Sequence, residues 1–197
     1  MKMNKYEEKL FEIDKAIHEC NKCSDMVEKF GTSKTIHFGS KKDIVILGEA
    51  PANNGWRKSG IAWYDINGKL LPSGKVMDQL LNEIGYELMD TIFLEAIKCF
   101  PTDRKYLKNC RENCREYLLE QLYLLAPKVI LTLGDTATKA LVEEQYKKFS
   151  DVVGKTFNIK IHEKEIKVIP IFHPSPISPL SYKGNVPIFK ELKKVMY

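Results

Sequence analysis

The sequence predicts an α/β fold, a three-layer α/β/α sandwich around a central, mostly parallel, four-stranded sheet. Three observations carry this. Strand-like segments alternate with helix-like ones along most of the chain. The strand-like segments are continuous apolar runs, so each is buried on both faces, as in a parallel sheet with helices above and below. Three of the four runs end in Gly- or Pro-rich turns that carry polar residues. In open sheets of this kind, ligands bind beyond the carboxyl ends of the strands.

The first element is a helix over 4–19, predicted by Tyr6, Leu10, Ile13 and Ile17 recurring at helical spacing, and it delivers the chain to Cys20 and Cys23. Asp43 to Leu47 reads as the first strand, ending in Gly48-Glu49-Ala50-Pro51 and a polar loop. A helix from about Ser73 to Ile84 places Val76, Leu80, Leu81 and Ile84 on one side and stops at Gly85. The second strand covers about 91–98, and a helix over 106–125 stops before Pro127. Lys128 to Leu133 is the third strand, closed by Gly134-Asp135, with a helix from Thr136. The stretch 145–165 reads as irregular with room for a short hairpin. Ile166 to Phe172 forms the fourth strand, and a last helix occupies about 187–196.

Bulk properties narrow the function. The 197 residues are 44% hydrophobic and 29% charged, which suits one globular domain spanning 1–197. No repeat, linker or low-complexity tract divides it. No run approaches the eighteen apolar residues of a membrane span, and the first ten residues lack a signal-peptide core. A cytoplasmic monomer is therefore expected, with no membrane partner. Neither a P-loop nor Gly-x-Gly-x-x-Gly is present, so no nucleotide cofactor is expected. The net charge of +5 is compatible with a polyanionic partner without establishing one.

Five cysteines in such a chain point to metal or redox use rather than to disulfides. Cys20 and Cys23 form a Cys-x-x-Cys pair after the first helix. Cys99 ends the second strand, and Cys110 and Cys114 come next. Two ligands from a tight loop and two from a distant strand–helix connection make a plausible four-thiolate site. Spacing alone leaves Cys110 or Cys114 as the spare, and leaves zinc and an iron–sulfur cluster both open.

Two loops stand out chemically. Gly48 turns the chain sharply after the first strand, and Pro51 stiffens the next segment. Phe172-His-Pro-Ser-Pro-Ile-Ser-Pro-Leu180 closes the fourth strand, its prolines presetting the backbone. His173 stands at the strand end, where its side chain can reach a cleft. Ser175 and Ser178 are free to meet phosphate oxygens, and Ile177 and Leu180 are apolar groups on a polar loop.

Gly48-Glu-Ala-Pro51, Lys98-Cys99 followed by a proline and Arg104, Cys114-Arg-x-Tyr-Leu-x-x-Gln121, Leu133-Gly134 and His173-Pro174 occur in one order. In this the chain resembles the family 4 uracil-DNA glycosylases, from about Cys20 to Leu180. The resemblance implies a base-excision repair enzyme that hydrolyses the N-glycosidic bond of a flipped deaminated base, most simply uracil, in damaged DNA. It implies a [4Fe-4S] cluster on Cys20, Cys23, Cys99 and Cys114, with Cys110 spare. By the same resemblance, His173 donates to uracil O2, Trp63 stacks on the base, Gly48, Glu49 and Ala50 line its pocket, and Ile177 or Leu180 fills the gap left in the duplex. Arg57, Lys58, Arg104 and Lys183 lie near these loops as phosphate contacts.

The chain also departs from the family pattern. Glu95 stands where the family has a base-reading asparagine, and an ionised carboxylate cannot donate to a carbonyl. The acidic residue of the first loop is absent, leaving Asn53 and Asn54 to position the attacking water. An insertion covers about Ile66 to Pro72. These departures open two alternatives: a protein of the same fold that binds DNA without cleaving it, or a glycosylase for another deaminated base. A redox protein with a flavodoxin-like sheet is a third, but it leaves both loops unexplained.

Overall fold

The computed structural model describes residues 5–28, 34–53, 55–142 and 146–196. Helix α1 (Lys5–Glu19) buries Leu10 and Ile17, two of the four positions at helical spacing. The short strands β1 (Val27–Glu28) and β2 (Ile36–His37) come next, and then β3 (Ile44–Gly48), buried throughout. A four-residue helix α2 (Trp56–Ser59) precedes α3 (Pro72–Asn82), which has its proline in the first turn, where no amide partner is lost. Strand β4 (Ile92–Glu95), the two-residue β5 (Phe100–Pro101) and the long helix α4 (Leu107–Leu125) occupy the middle of the chain. They lead to β6 (Val129–Leu133) and α5 (Gly134–Val142). The chain closes with β7 (Phe157–Ile161), β8 (Lys164–Ile171) and α6 (Val186–Met196).

The main sheet runs β2-β4-β3-β6-β8-β7. Its centre is the expected four parallel strands, with Val45 opposite Ile92 and Ile130, and Leu131 opposite Ile169. The sheet is nevertheless six-stranded, not four-stranded, among the described residues. β2 adds antiparallel to β4, and β7 adds antiparallel to β8 through a turn at His162-Glu163. β2 is too short to show a period. β7 alternates burial because one of its faces meets water, so it lacks the unbroken apolar signature of a central strand.

Alternation along β3 divides the core into two layers. Ile44 and Ile46 face Met77, Leu80 and Leu81 of α3 and Phe189 and Leu192 of α6. Val45 and Leu47 face Leu118 and Leu122 of α4, Ala137 and Ala140 of α5, and Leu10 of α1. This is the α/β/α sandwich. Several bounds also differ from those read off the sequence. The second strand stops at Glu95; the amides of Ala96 and Ile97 still reach the carbonyls of Gly48 and Glu49, and the chain then turns off to Cys99. The fourth strand starts two residues earlier than its apolar run, at Lys164.

Candidate active site and cysteine cavity

All four parallel strands end at one cleft of about 540 Å³. Gly48, Glu49 and Ala50 after β3, Glu95 at the end of β4, Leu133 to Thr136 at the β6–α5 junction, and His173 after β8 line it. The first loop adds Trp56 and Trp63, its insertion adds Leu71, and Arg104 stands at the rim. The predicted residues Gly48, Glu49, Ala50, Trp63, Glu95, Arg104 and His173 are thus brought together from widely separated parts of the chain.

Each is positioned by its neighbours. Asn185, fully buried, accepts from the Phe172 amide at 2.9 Å and donates to the carbonyls of Phe172 (2.8 Å) and Ser181 (2.7 Å). It clasps both ends of the His173 loop, a role that the sequence left unread. His173 opens to the cleft, and the protein around it lowers its imidazole below the usual histidine range, with Glu49 opposing. This favours the neutral imidazole.

Trp63 is held at φ 71°, an uncommon conformation for a bulky residue, by its carbonyl accepting from the Leu71 amide at 2.8 Å. Its ring packs on Phe93 with centroids 4.8 Å apart, and its Nε1 is buried without a partner. The insertion after it is a compact turn. Asp65 Oδ1 accepts from the Asn67 and Lys69 amides, both at 2.9 Å, and Gly68 is left-handed.

Arg104 holds the Glu49 carboxylate with two nitrogens, at 3.1 and 3.3 Å. Asp135, singled out for no role by the sequence, also lines the cleft, but Lys139 (2.7 Å) and Tyr146 (2.9 Å) engage its carboxylate. The Gly134-Asp135 turn after a buried strand was the available signal.

Other predicted residues lie outside the cleft lining. Arg57 turns inward: it donates to Glu28 (2.5 Å) and Asn53 (2.8 Å) and stands over the Phe100 ring. It is thereby spent as a free phosphate contact, and Asn53 Oδ1 is occupied. Asn54 falls outside the described residues. Ile177, 92% exposed, and Leu180 project from the second loop, with Ser175 and Ser178 half-buried beside them and Lys183 exposed.

Behind the cleft, Cys20, Cys23, Cys99, Cys110 and Cys114 surround a second cavity of about 90 Å³, none in a disulfide. The pairing of β1 with β5 brings the Cys20–Cys23 loop against Cys99. Donors reach the sulfurs: the Lys98 amide to Cys114 Sγ at 3.4 Å, and Asn113 Nδ2 to Cys23 Sγ at 3.2 Å. Burial pushes the Cys110 thiol up to about 12, with neighbouring Cys23 reinforcing it. Among the described residues no three such side chains converge on a single point as ligands of one ion. They ring a void instead.

A parallel α/β sheet with a compact cleft at its carboxyl edge and a cysteine cavity behind it defines the structural class. The sequence profile of the uracil DNA glycosylase superfamily matches residues 36–194. The Type-4 uracil-DNA glycosylase of Archaeoglobus fulgidus is 30% identical over 177 residues, 86% of this chain and 83% of that protein. That of Sulfurisphaera tokodaii is 31% identical over 84% of this chain and 74% of its own. A Type-5 uracil-DNA glycosylase of Pyrobaculum aerophilum matches at 23% over 68% of this chain. The chain belongs to the uracil-DNA glycosylase superfamily. No helix among the described residues is long and apolar enough to cross a membrane.

Proposed function

We propose that this protein is a monofunctional DNA glycosylase that hydrolyses the N-glycosidic bond of a uracil flipped out of DNA. The observation that carries it is the convergence of His173, Glu95, Trp63 and the Gly48–Ala50 turn on one cleft at the sheet's carboxyl edge. A flipped base needs such a cleft: concave, aromatic on one wall and polar on another. Trp63 and Phe93 supply the aromatic wall. As the bond breaks, negative charge grows on uracil O2, and His173 donates to it. A neutral imidazole, which desolvation favours here, donates without first having to gain a proton. With Asn53 held by Arg57, Glu49, which lines the cleft together with His173, is the group proposed to position the attacking water.

The cysteine cavity is proposed to hold a [4Fe-4S] cluster on Cys20, Cys23, Cys99 and Cys114. The donor set fits: thiols outside any disulfide around a void, with N–H groups aimed at the sulfurs of Cys23 and Cys114. When bound, such a group would tie the Cys20–Cys23 loop to β5 and α4.

DNA is met through the second loop and exposed cations such as Lys183, so affinity falls steeply with salt. The test is scission at abasic sites in U·G, U·A, hypoxanthine·T and xanthine·C duplexes. Uracil release from the first two is expected. Salt-sensitive binding with no release from any duplex would make this a DNA-binding member of the fold, and release from only the last two would reassign the base.

A further inference from the structure

Glu95 takes no part in the bond cleavage just described, yet it is the least compensated group in the cleft. It is 7% exposed at the end of β4, and its Oε2 is buried without a hydrogen-bond partner. Lys98, 1% exposed, would be the natural counter-ion. It sends its Nζ to the main-chain carbonyl of Glu95 instead, at 2.6 Å. Gly48 makes room for the carboxyl: a Cβ there would overlap Oε2. A buried polar atom left open on the wall of a cleft is completed by the molecule that enters the cleft.

We propose that Glu95 reads the base, and reads it as a neutral carboxylic acid: its O–H donates to a ring carbonyl and its C=O accepts from the adjacent ring N–H. The partner is a keto–imide edge, such as C4=O and N3–H of uracil. This rests on the glycosylase reading and adds a protonation state to it. Burial pushes the Glu95 carboxyl up to about 8, against the pull of Lys98 and with a push from Glu49. The charged and titratable groups facing it are few. Lys98 comes from its own segment, Glu49 from the end of β3, and Arg104, paired with Glu49, from the segment between β5 and α4. Asp135 and His173 line the far side of the cleft. His37 of β2, opposite Phe93, shares the face on which Glu95 lies. None of them donates to Oε2.

The chemistry predicts a switch. The ionised carboxylate only accepts, so it would set an acceptor against uracil O4. With a midpoint of about 8, the neutral fraction falls roughly tenfold between pH 7 and pH 9. The release of uracil by the wild type relative to that by Glu95→Gln, from the same single strand, should fall by a similar factor.

The experiment measures single-turnover uracil release by both proteins at pH 7 and pH 9, with circular dichroism to verify the fold. Gln carries a donor and an acceptor at every pH, so its contact with uracil should not change. Effects common to both proteins, among them those of Lys98, whose ammonium burial lowers to about 8, cancel in the ratio. A ratio that stays level overturns the proposal. Equilibrium binding of the uracil strand, and of the same strand with an abasic analogue in place of the uracil nucleotide, is measured alongside. If uracil is not released, the glycosylase reading fails on its own. The uracil preference in binding then decides this proposal: lost at pH 9 in the wild type only, it stands, and absent at pH 7 or equal at both, it falls.

Discussion

The cleft and the cysteine cavity lie at opposite ends of one five-residue segment, Glu95 to Cys99, and are finished in opposite ways. In the cleft, polar atoms are left without partners: Glu95 Oε2 and Trp63 Nε1 are both buried and open. Around the cysteines, donors are already supplied, from the Lys98 amide and from Asn113. Leaving a buried polar group unpaired costs about 1–3 kcal/mol, so such groups persist where an incoming partner completes them. Donors aimed at sulfur suit thiolates that stay in place. On the proposed reading, one region is completed transiently, by the base, and the other permanently, by the cluster. Lys98 spans the two, with its amide on Cys114 and its ammonium on the Glu95 carbonyl.

The largest expected effect tests the transient side. His173→Ala removes the donor proposed for uracil O2, and loss of one such donor costs ~10²–10³ in rate, or roughly 3–4 kcal/mol. Oligonucleotide affinity should change far less, because phosphate contacts dominate it. Single-turnover cleavage with a parallel binding titration checks this, and excision at the wild-type rate would reduce His173 to a loop residue. A smaller effect on turnover, but a decisive one on the other region, is expected from the cysteines. Cys114→Ala should lose the iron, the visible absorbance and thermal stability, whereas Cys110→Ala keeps all three. Iron analysis of the two purified variants separates them, and the reverse pattern would exchange Cys110 and Cys114 as ligands.

The same contrast explains which features were legible in the sequence. The parallel core was legible because strands buried on both faces write unbroken apolar runs, and the cleft was legible because those runs end in Gly48, Gly134 and His173-Pro174. Edge strands β2 and β7 were not: β2 is only two residues long, and β7 has one neighbour and a wet face. Arg57 resembled a free cation because proximity in sequence does not disclose Glu28, 29 positions away, as its partner. Asn185 carried no motif. Its role depends on the loop from Phe172 to Ser181 returning to it, which only tertiary structure reveals.

The smallest expected effect is on stability, and its sign is fixed by the orphaned carboxyl. Glu95 has a native midpoint of about 8 against an ordinary 4.5. Between those values the unfolded chain has released its proton and the native chain keeps it. The native state then binds more protons, so raising the pH favours unfolding. The contribution of Glu95 is therefore neutral well below pH 4.5, turns increasingly unfavourable up to about pH 8, and levels off above. Lys98 does not mask this, because its own native and unfolded midpoints, about 8 and 10.5, span the alkaline range. Glu95→Gln removes the titration without shortening the side chain. Its melting temperature relative to the wild type should rise steadily from about pH 5 to pH 8, whatever the offset at the acid end. A difference that stays constant across that window would mean that Glu95 is ionised in the native protein, and that the carboxyl in the cleft is compensated after all.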